Sequence, residues 1–198
     1  MRHVAPSFSV EAPPRFQLQP GGVYRRKDLA SQSRAVDRDL QLALSAGQLH
    51  RAAQGLYYAP IKTLFGDVPP SDQAMIEKFL EDRHFLLLNF SFYNGLGLGT
   101  TQLYNQTLVY NHKRHGIFRL GGREFDFRVK HRFPAELSME FLWVDCLNNL
   151  DELAEDREVI LPNARKSLDR FDGAALRQAL ADYGSAATRR LVRDWFDA

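Results

Sequence analysis

The sequence predicts an α+β protein of two domains, and three observations predict it. The stretch from Gly21 to Lys62 is punctuated as helix, turn, helix and hairpin; strand-like runs crowd the region from His84 to Lys130; amphipathic helical segments close the chain. A chain of 198 residues accommodates one large or two small domains, and 44% apolar content is ordinary for a folded protein. The formal net charge of +2 is close to neutral, so any contact with nucleic acid has to come from local clustering of charge.

Residues 1–20 carry Pro6, Pro13, Pro14 and Pro20 without a hydrophobic period, and are expected to form an extended or loosely packed arm. They lack a continuous apolar core for a signal peptide, and the longest apolar run, Phe85 to Leu88, is too short to span a bilayer. The expectation is a cytoplasmic protein without a membrane segment. The single cysteine, Cys146, lies among Phe141, Leu142, Val144 and Leu147 and reads as a buried small hydrophobe.

A first domain is expected over 21–62. Val23-Tyr24 suggests a short strand, Arg26 to Ser31 a short helix, and Ser31-Gln32-Ser33 a turn with Ser33 as the next N-cap. From Arg34 to Ala46, Val36, Leu40, Ala43 and Leu44 fall at helical spacing, with Leu42 the exception, and Gly47 stops the helix. Leu49 to Arg51 and Gly55 to Tyr58 then pair as strands around Ala52-Ala53-Gln54. That order is a winged helix-turn-helix.

A second, α+β domain is expected over 63–198, after a linker from Ile61 to Pro70. Ser71 caps a helix from about Asp72 to Glu81. Strands follow at Phe85 to Phe90, Leu103 to Asn111, Ile117 to Leu120 and Glu124 to Lys130, with Gly121-Gly122 a hairpin turn. Helices are expected at Ala135 to Leu153, Asp172 to Leu180 and Ser185 to Phe196.

Within 21–62 seven Lys/Arg oppose three acids (Asp28, Asp37, Asp39), an excess of four, larger than that of the whole chain. Arg34 and Arg38 are spaced to share one face in the N-terminal half of the second helix, where recognition helices meet base edges. With Gln41 they form the candidate base-reading set, and Arg26, Lys27, Arg51 and His50 are the candidate backbone contacts. Asp37 and Asp39 on the same helix repel phosphate and count against it. The Gly-rich run Asn94 to Thr101 lacks the Lys of a phosphate-binding loop. Glu124, Asp126 and Lys130 alternate along one strand face, a pattern that metal-dependent nucleases also use, although Phe125, Phe127 and Val129 give the plainer reading of a strand with charges outward. His112, His115 and His131 lack zinc-ligand spacing, and no cofactor motif is present. Arg189, Arg190 and Arg193 give the last helix a basic side.

Lys27-Asp28-Leu29, Val36-Asp37-Arg38-Asp39-Leu40, Gly47-Gln48-Leu49 and Arg51 to Pro60 (RAAQGLYYAP) together resemble the winged helix of AbiEi-type antitoxins of type IV toxin–antitoxin systems. Thr63-Leu-Phe-Gly66, Pro69-Pro70, Tyr183-Gly184-Ser185 and Thr188-Arg189-Arg190 extend the likeness through most of the chain after Gly21. The arm before Gly21 and a comparatively short C-terminal domain depart from it. The resemblance implies a non-enzymatic transcriptional autorepressor that binds operator DNA through Arg34, Arg38 and the wing around Arg51. It also implies a nucleotidyltransferase toxin as the cognate partner. A dimer and cooperative monomers on DNA both stay open, as do two other classes: a protein-interaction module using the same helix, and a nuclease using Glu124, Asp126 and Lys130.

Overall fold

The computed structural model describes residues 16–196, which fall into two compact units divided between Phe79 and Leu80. Both helices and strands are present in each. The first unit therefore continues past Lys62, through segments that composition suggested were linker.

In the first unit β1 (Val23–Arg25) leads directly into α1 (Arg26–Ala30), and α2 (Val36–Ser45) follows a five-residue turn. β2 (His50–Ala53) and β3 (Leu56–Tyr58) form a hairpin, and β1 pairs antiparallel with β3 to give the order β1-β3-β2. The hairpin turn is the two residues Gln54-Gly55 rather than the expected Ala52-Ala53-Gln54, because a two-residue loop needs a positive φ and Gly55 (φ 70°) supplies it. Leu29, Leu40, Ala43, Leu49, Tyr57 and Ala59 make the small core. Phe16 belongs to it as well, 4% exposed, and Gln17 donates its backbone N–H to Gln32. The described end of the expected arm is thus packed; the rest of that arm lies outside the described residues.

The presumed linker holds a second hairpin, β4 (Ile61–Thr63) with β5 (Gly66–Val68), and then α3 (Asp72–Leu80). Arg25 closes the C-terminus of α3, its guanidinium donating to the carbonyls of Lys78 (3.0 Å) and Phe79 (2.6 Å). Asp28 accepts the Arg25 backbone N–H at the start of α1 and pairs with Lys78 at 2.8 Å. Four residues therefore tie strand, helix and helix end into one cluster.

The second unit is built on a four-stranded sheet ordered β6-β7-β9-β8, from β6 (Phe85–Leu88), β7 (Thr107–Asn111), β8 (Gly116–Leu120) and β9 (Arg123–Val129). β7 and β9 run parallel and the outer pairs antiparallel. The β8–β9 turn is Gly121-Gly122, both at positive φ (56° and 86°). Leu86, Leu88, Leu108 and Tyr110 pack on α4 (Met139–Asn148), α5 (Arg157–Lys166), α6 (Gly173–Tyr183) and α7 (Ala186–Leu191). β6 stops two residues short of Phe90 because the Asn89 side chain caps a 3-10 segment, Phe90–Leu96, accepting from the Ser91 N–H and donating to the carbonyls of Tyr104 and Gln106. α4 starts late, capped by Ser138, and α5 replaces a stretch with no predicted element. Pro162 lies inside α5, where it supplies no backbone N–H to the helical ladder. Asp172 and Ser185 cap α6 and α7, each within a residue of the expected start, and α7 gives way after Leu191 to a short 3-10 turn, Arg193–Trp195.

Beneath α4 sits a buried polar cluster. Asp145 is 1% exposed and accepts hydrogen bonds from the hydroxyls of Tyr93 (2.7 Å) and Tyr110 (3.0 Å), while Asn149 donates to both tyrosine oxygens. Burial pushes the Asp145 carboxyl above its ordinary range, against the opposing pull of Lys130 and these donors. Cys146 beside it is fully buried as expected, its thiol pushed up to about 12 by burial and the neighbouring Asp145. Truncating Asp145 strands two buried hydroxyls. Asp145→Ala is expected to lower unfolding free energy by about 2–4 kcal/mol in a denaturant titration, with Asp145→Asn costing less because it retains an acceptor.

Candidate nucleic-acid interface

Packing sets which residues α2 shows to solvent. Leu40 and Ala43 are buried and Val36 and Leu44 rest against the same core, so Arg38, Gln41, Leu42 and Ser45 are exposed, with Arg34 exposed just ahead of the first turn. Leu42, the one apolar residue out of register in the sequence, is accordingly 51% exposed. Arg34 and Arg38 make no hydrogen bond or ion pair with another described residue.

The two acids on α2 are disposed of by different means. Asp37 receives a two-pronged bond from Arg26, Nε to Oδ1 at 2.8 Å and a terminal nitrogen to Oδ2 at 2.7 Å. The hydrogen bond and charge of Arg26 hold the Asp37 carboxyl below its usual range. Asp39 is 4% exposed and accepts from the Ser33 hydroxyl at 2.5 Å. Both also sit in the first turn, where carboxylates oppose the positive end of the helix dipole. Ser33 is consequently not the N-cap of α2: Ala35 occupies that position, and the Ser33 oxygen accepts the Ala35 N–H while its hydroxyl serves Asp39.

The remaining predicted residues are spread around this face. Arg26 is engaged by Asp37, and Lys27 is exposed on α1. Arg51 is exposed on β2 with its guanidinium 6.0 Å from the Tyr57 ring centroid. His50 stacks on Tyr58 (5.4 Å) and turns Nε2 toward Asp67 at 3.4 Å. Lys62 pairs with the same carboxylate at 2.9 Å, and its hydrogen bond and charge hold Asp67 below the usual range. Of the seven residues, then, Arg38 and Gln41 share the solvent side of α2, Arg34 is exposed just ahead of it, Lys27 and Arg51 are exposed on α1 and β2, and Arg26 and His50 are turned toward acids. The hairpin β4–β5 went unread because Pro60 and Pro69-Pro70 suggested a linker; the Lys62/Asp67 pair astride Leu64-Phe65 was its visible signal.

The other charged patterns resolve within the second unit. Asp126 and Arg128 are not outward: by register they share the sheet face of Leu108 and Tyr110, under the helices, with side chains only 13% and 17% exposed. Burial alone would disfavour the Arg128 charge, but bonds to Glu152 and Asp126 keep it protonated. Phe125 and Phe127 are buried as expected whereas Val129 is 44% exposed. Glu124 faces Arg119 at 3.6 Å and Lys130 lies over the Tyr110 ring at 4.6 Å, so each member of the proposed acid–lysine set has its own partner. Among the described residues there is no group of three or more His, Cys, Asp or Glu that would hold a metal ion, and no helix is long and apolar enough to cross a membrane.

The glycine-rich loop carries its own anion. Glu155 accepts the backbone N–H groups of Thr101 and Gln102 (3.0 Å each) and the Tyr104 hydroxyl (2.8 Å). Burial raises its pKa, but those donors outweigh it and hold the carboxylate below its ordinary 4.5. His84 and His112 form a separate feature, ring nitrogens 3.0 Å apart and both stacked on Phe133, in an open cleft of about 330 Å³ that His131 and Arg132 also line.

No protein-family model matches the chain, and no curated protein matches it in sequence.

Two outcomes test this geometry. Ser33→Ala removes a hydroxyl bonded to a buried carboxylate and is expected to cost about 1.5–3 kcal/mol in thermal or chemical unfolding. Because the Glu155 pKa is depressed on folding, its stabilisation is complete above the ordinary glutamate value and is lost as pH falls through the folded value. The Thr101 and Gln102 amide resonances are therefore expected to shift together on acidification below 4.5, and to lose that titration in Glu155→Gln.

Proposed function

We propose that this chain is a DNA-binding, antitoxin-like transcriptional repressor that uses residues 21–62 as a winged helix-turn-helix. The single observation that carries the reading is the charge state of the α2 face. Arg34 and Arg38 are exposed and unengaged among the described residues, while Asp37 is paired with Arg26 and Asp39 is withdrawn from solvent and bonded to Ser33. The objection that Asp37 and Asp39 repel phosphate is thereby weakened, since one carboxylate is paired with a cation and the other is turned away from solvent.

In this reading Arg34, Arg38 and Gln41 read base edges in the major groove. Lys27, Arg51 and the hairpin β2–β3 hold the backbone, with Arg26 and His50 closing the contact from either side. A regulator of this kind acts by occupying its own promoter and needs no catalytic group. The sequence resemblance to AbiEi-type antitoxins supplies the regulatory context, a nucleotidyltransferase toxin as partner and autorepression as output.

The reading is tested by titrating the full chain onto duplexes from the region upstream of its own reading frame. Arg34→Ala and Arg38→Ala are each expected to cost roughly 1–3 kcal/mol and to relax sequence preference. Lys27→Ala is expected to weaken all sequences alike and to lower the salt slope by about one. Asp37→Ala releases Arg26, so it is expected to tighten binding at low salt and steepen the slope by about one. Unchanged affinity in the Arg34/Arg38 double variant at fixed salt would place the interface elsewhere.

A further inference from the structure

The hairpin β4–β5 carries two large apolar side chains where turn chemistry favours small polar residues. Leu64 and Phe65 form its two-residue tip and are 101% and 100% exposed, so neither contributes to any core. The tip is nonetheless firmly held. The Thr63 hydroxyl donates to the Gly66 carbonyl (2.8 Å) and its oxygen accepts the Phe65 N–H (3.2 Å). Lys62 and Asp67 pair across the strands, and Asp67 faces His50, the first residue of β2 after α2. A rigid hairpin that displays Leu-Phe to water has no folding rationale.

We propose that Leu64 and Phe65 are an apolar wedge that enters the minor groove of bound DNA and parts one base step. The inference rests on the DNA-binding reading above and adds to it a contact made by a different segment. Three observations choose this occupant. Two side chains bury far less than the ~800 Å² per partner of a stable protein interface, yet they are the residue types that DNA-binding proteins push between bases. The tip stands two to three residues beyond the Asp67–His50 anchor, roughly 7–10 Å at 3.3 Å per residue, which matches a minor groove about 7.5 Å deep. The charge around it suits phosphate: Asp67 is the one acid from His50 to Val68 and is covered by Lys62 and His50, leaving Arg51 in excess. Half-exposed Ile61 and Val68 at the base would face the sugars on either side.

The test uses the full chain and duplexes tiled across the region upstream of its reading frame, with 2-aminopurine replacing each adenine in turn. Wild-type protein is expected to raise the fluorescence several-fold at one position. Leu64→Ala/Phe65→Ala, harmless to a fold in which both side chains are fully exposed, is expected to abolish that rise and weaken binding about tenfold. Its salt slope should stay at the wild-type value, because no phosphate contact is removed. In Phe65→Trp, stacking on bases is expected to quench the indole on binding. Salt-dependent binding without a fluorescence rise, or a rise that survives the double alanine variant, overturns the wedge and leaves the DNA reading standing. Loss of binding in Arg34→Ala/Arg38→Ala with full binding in the tip variant has the same meaning. Absence of salt-dependent binding by the wild-type chain overturns both.

Discussion

The burial of Leu40 and Ala43 fixes the rotation of α2 about its axis, and every feature of the candidate interface follows from that rotation. With those two residues inward, Arg38 and Gln41 have to face solvent, and Arg34 is exposed just ahead of the helix. Asp39 has to lie at the edge of the core, where an unpartnered carboxylate is costly and Ser33 supplies the bond. Asp37 lies at the opposite edge, within reach of Arg26 on α1. The core therefore sorts the charges around one short helix into an exposed basic set, one paired acid and one buried acid. A small core achieves this because an amphipathic helix has one buried stripe, and two well-placed residues suffice to define it.

In the second unit the corresponding constraint is polar. Asp145, Tyr93, Tyr110 and Asn149 link α4, the 3-10 segment and β7 through hydrogen bonds around a buried carboxylate. Apolar contacts are tolerant of small shifts in register, whereas bonds of this kind are directional, and they hold the helical layer in one position on the sheet. Arg128, pinned between Asp126 and Glu152, does the same from β9. The charged residues that most resembled a catalytic set are thus engaged in joining layers, which moves the weight of a functional reading to the first unit.

Much of the architecture was legible in the chain. The α2 stripe, the strands around β7 to β9, the Gly121-Gly122 turn and the caps of α6 and α7 were read close to their observed places, because periodicity and capping are local properties. Errors clustered where a distant partner decides the local structure. The strand expected through Phe90 ends at Leu88, before Asn89, whose side chain reaches the Tyr104 and Gln106 carbonyls. The strand expected from Leu103 begins only at Thr107, because Glu155 and Ser91 hold the preceding loop. The presumed linker is a hairpin and a helix, the latter closed by Arg25 from far upstream.

The sequence by itself determined the α+β class, the helix–turn–helix–hairpin order and the excess of basic charge from Gly21 to Lys62. Each of these depends on composition or on spacing along one element, which neighbouring residues alone dictate. Only the tertiary structure decided which of those charges are available. Arg26 and Asp37 are eleven residues apart and Ser33 and Asp39 six, and nothing local pairs them. The exposure of Leu64 and Phe65 was equally out of reach, since an apolar pair reads as core until the fold leaves it standing in water.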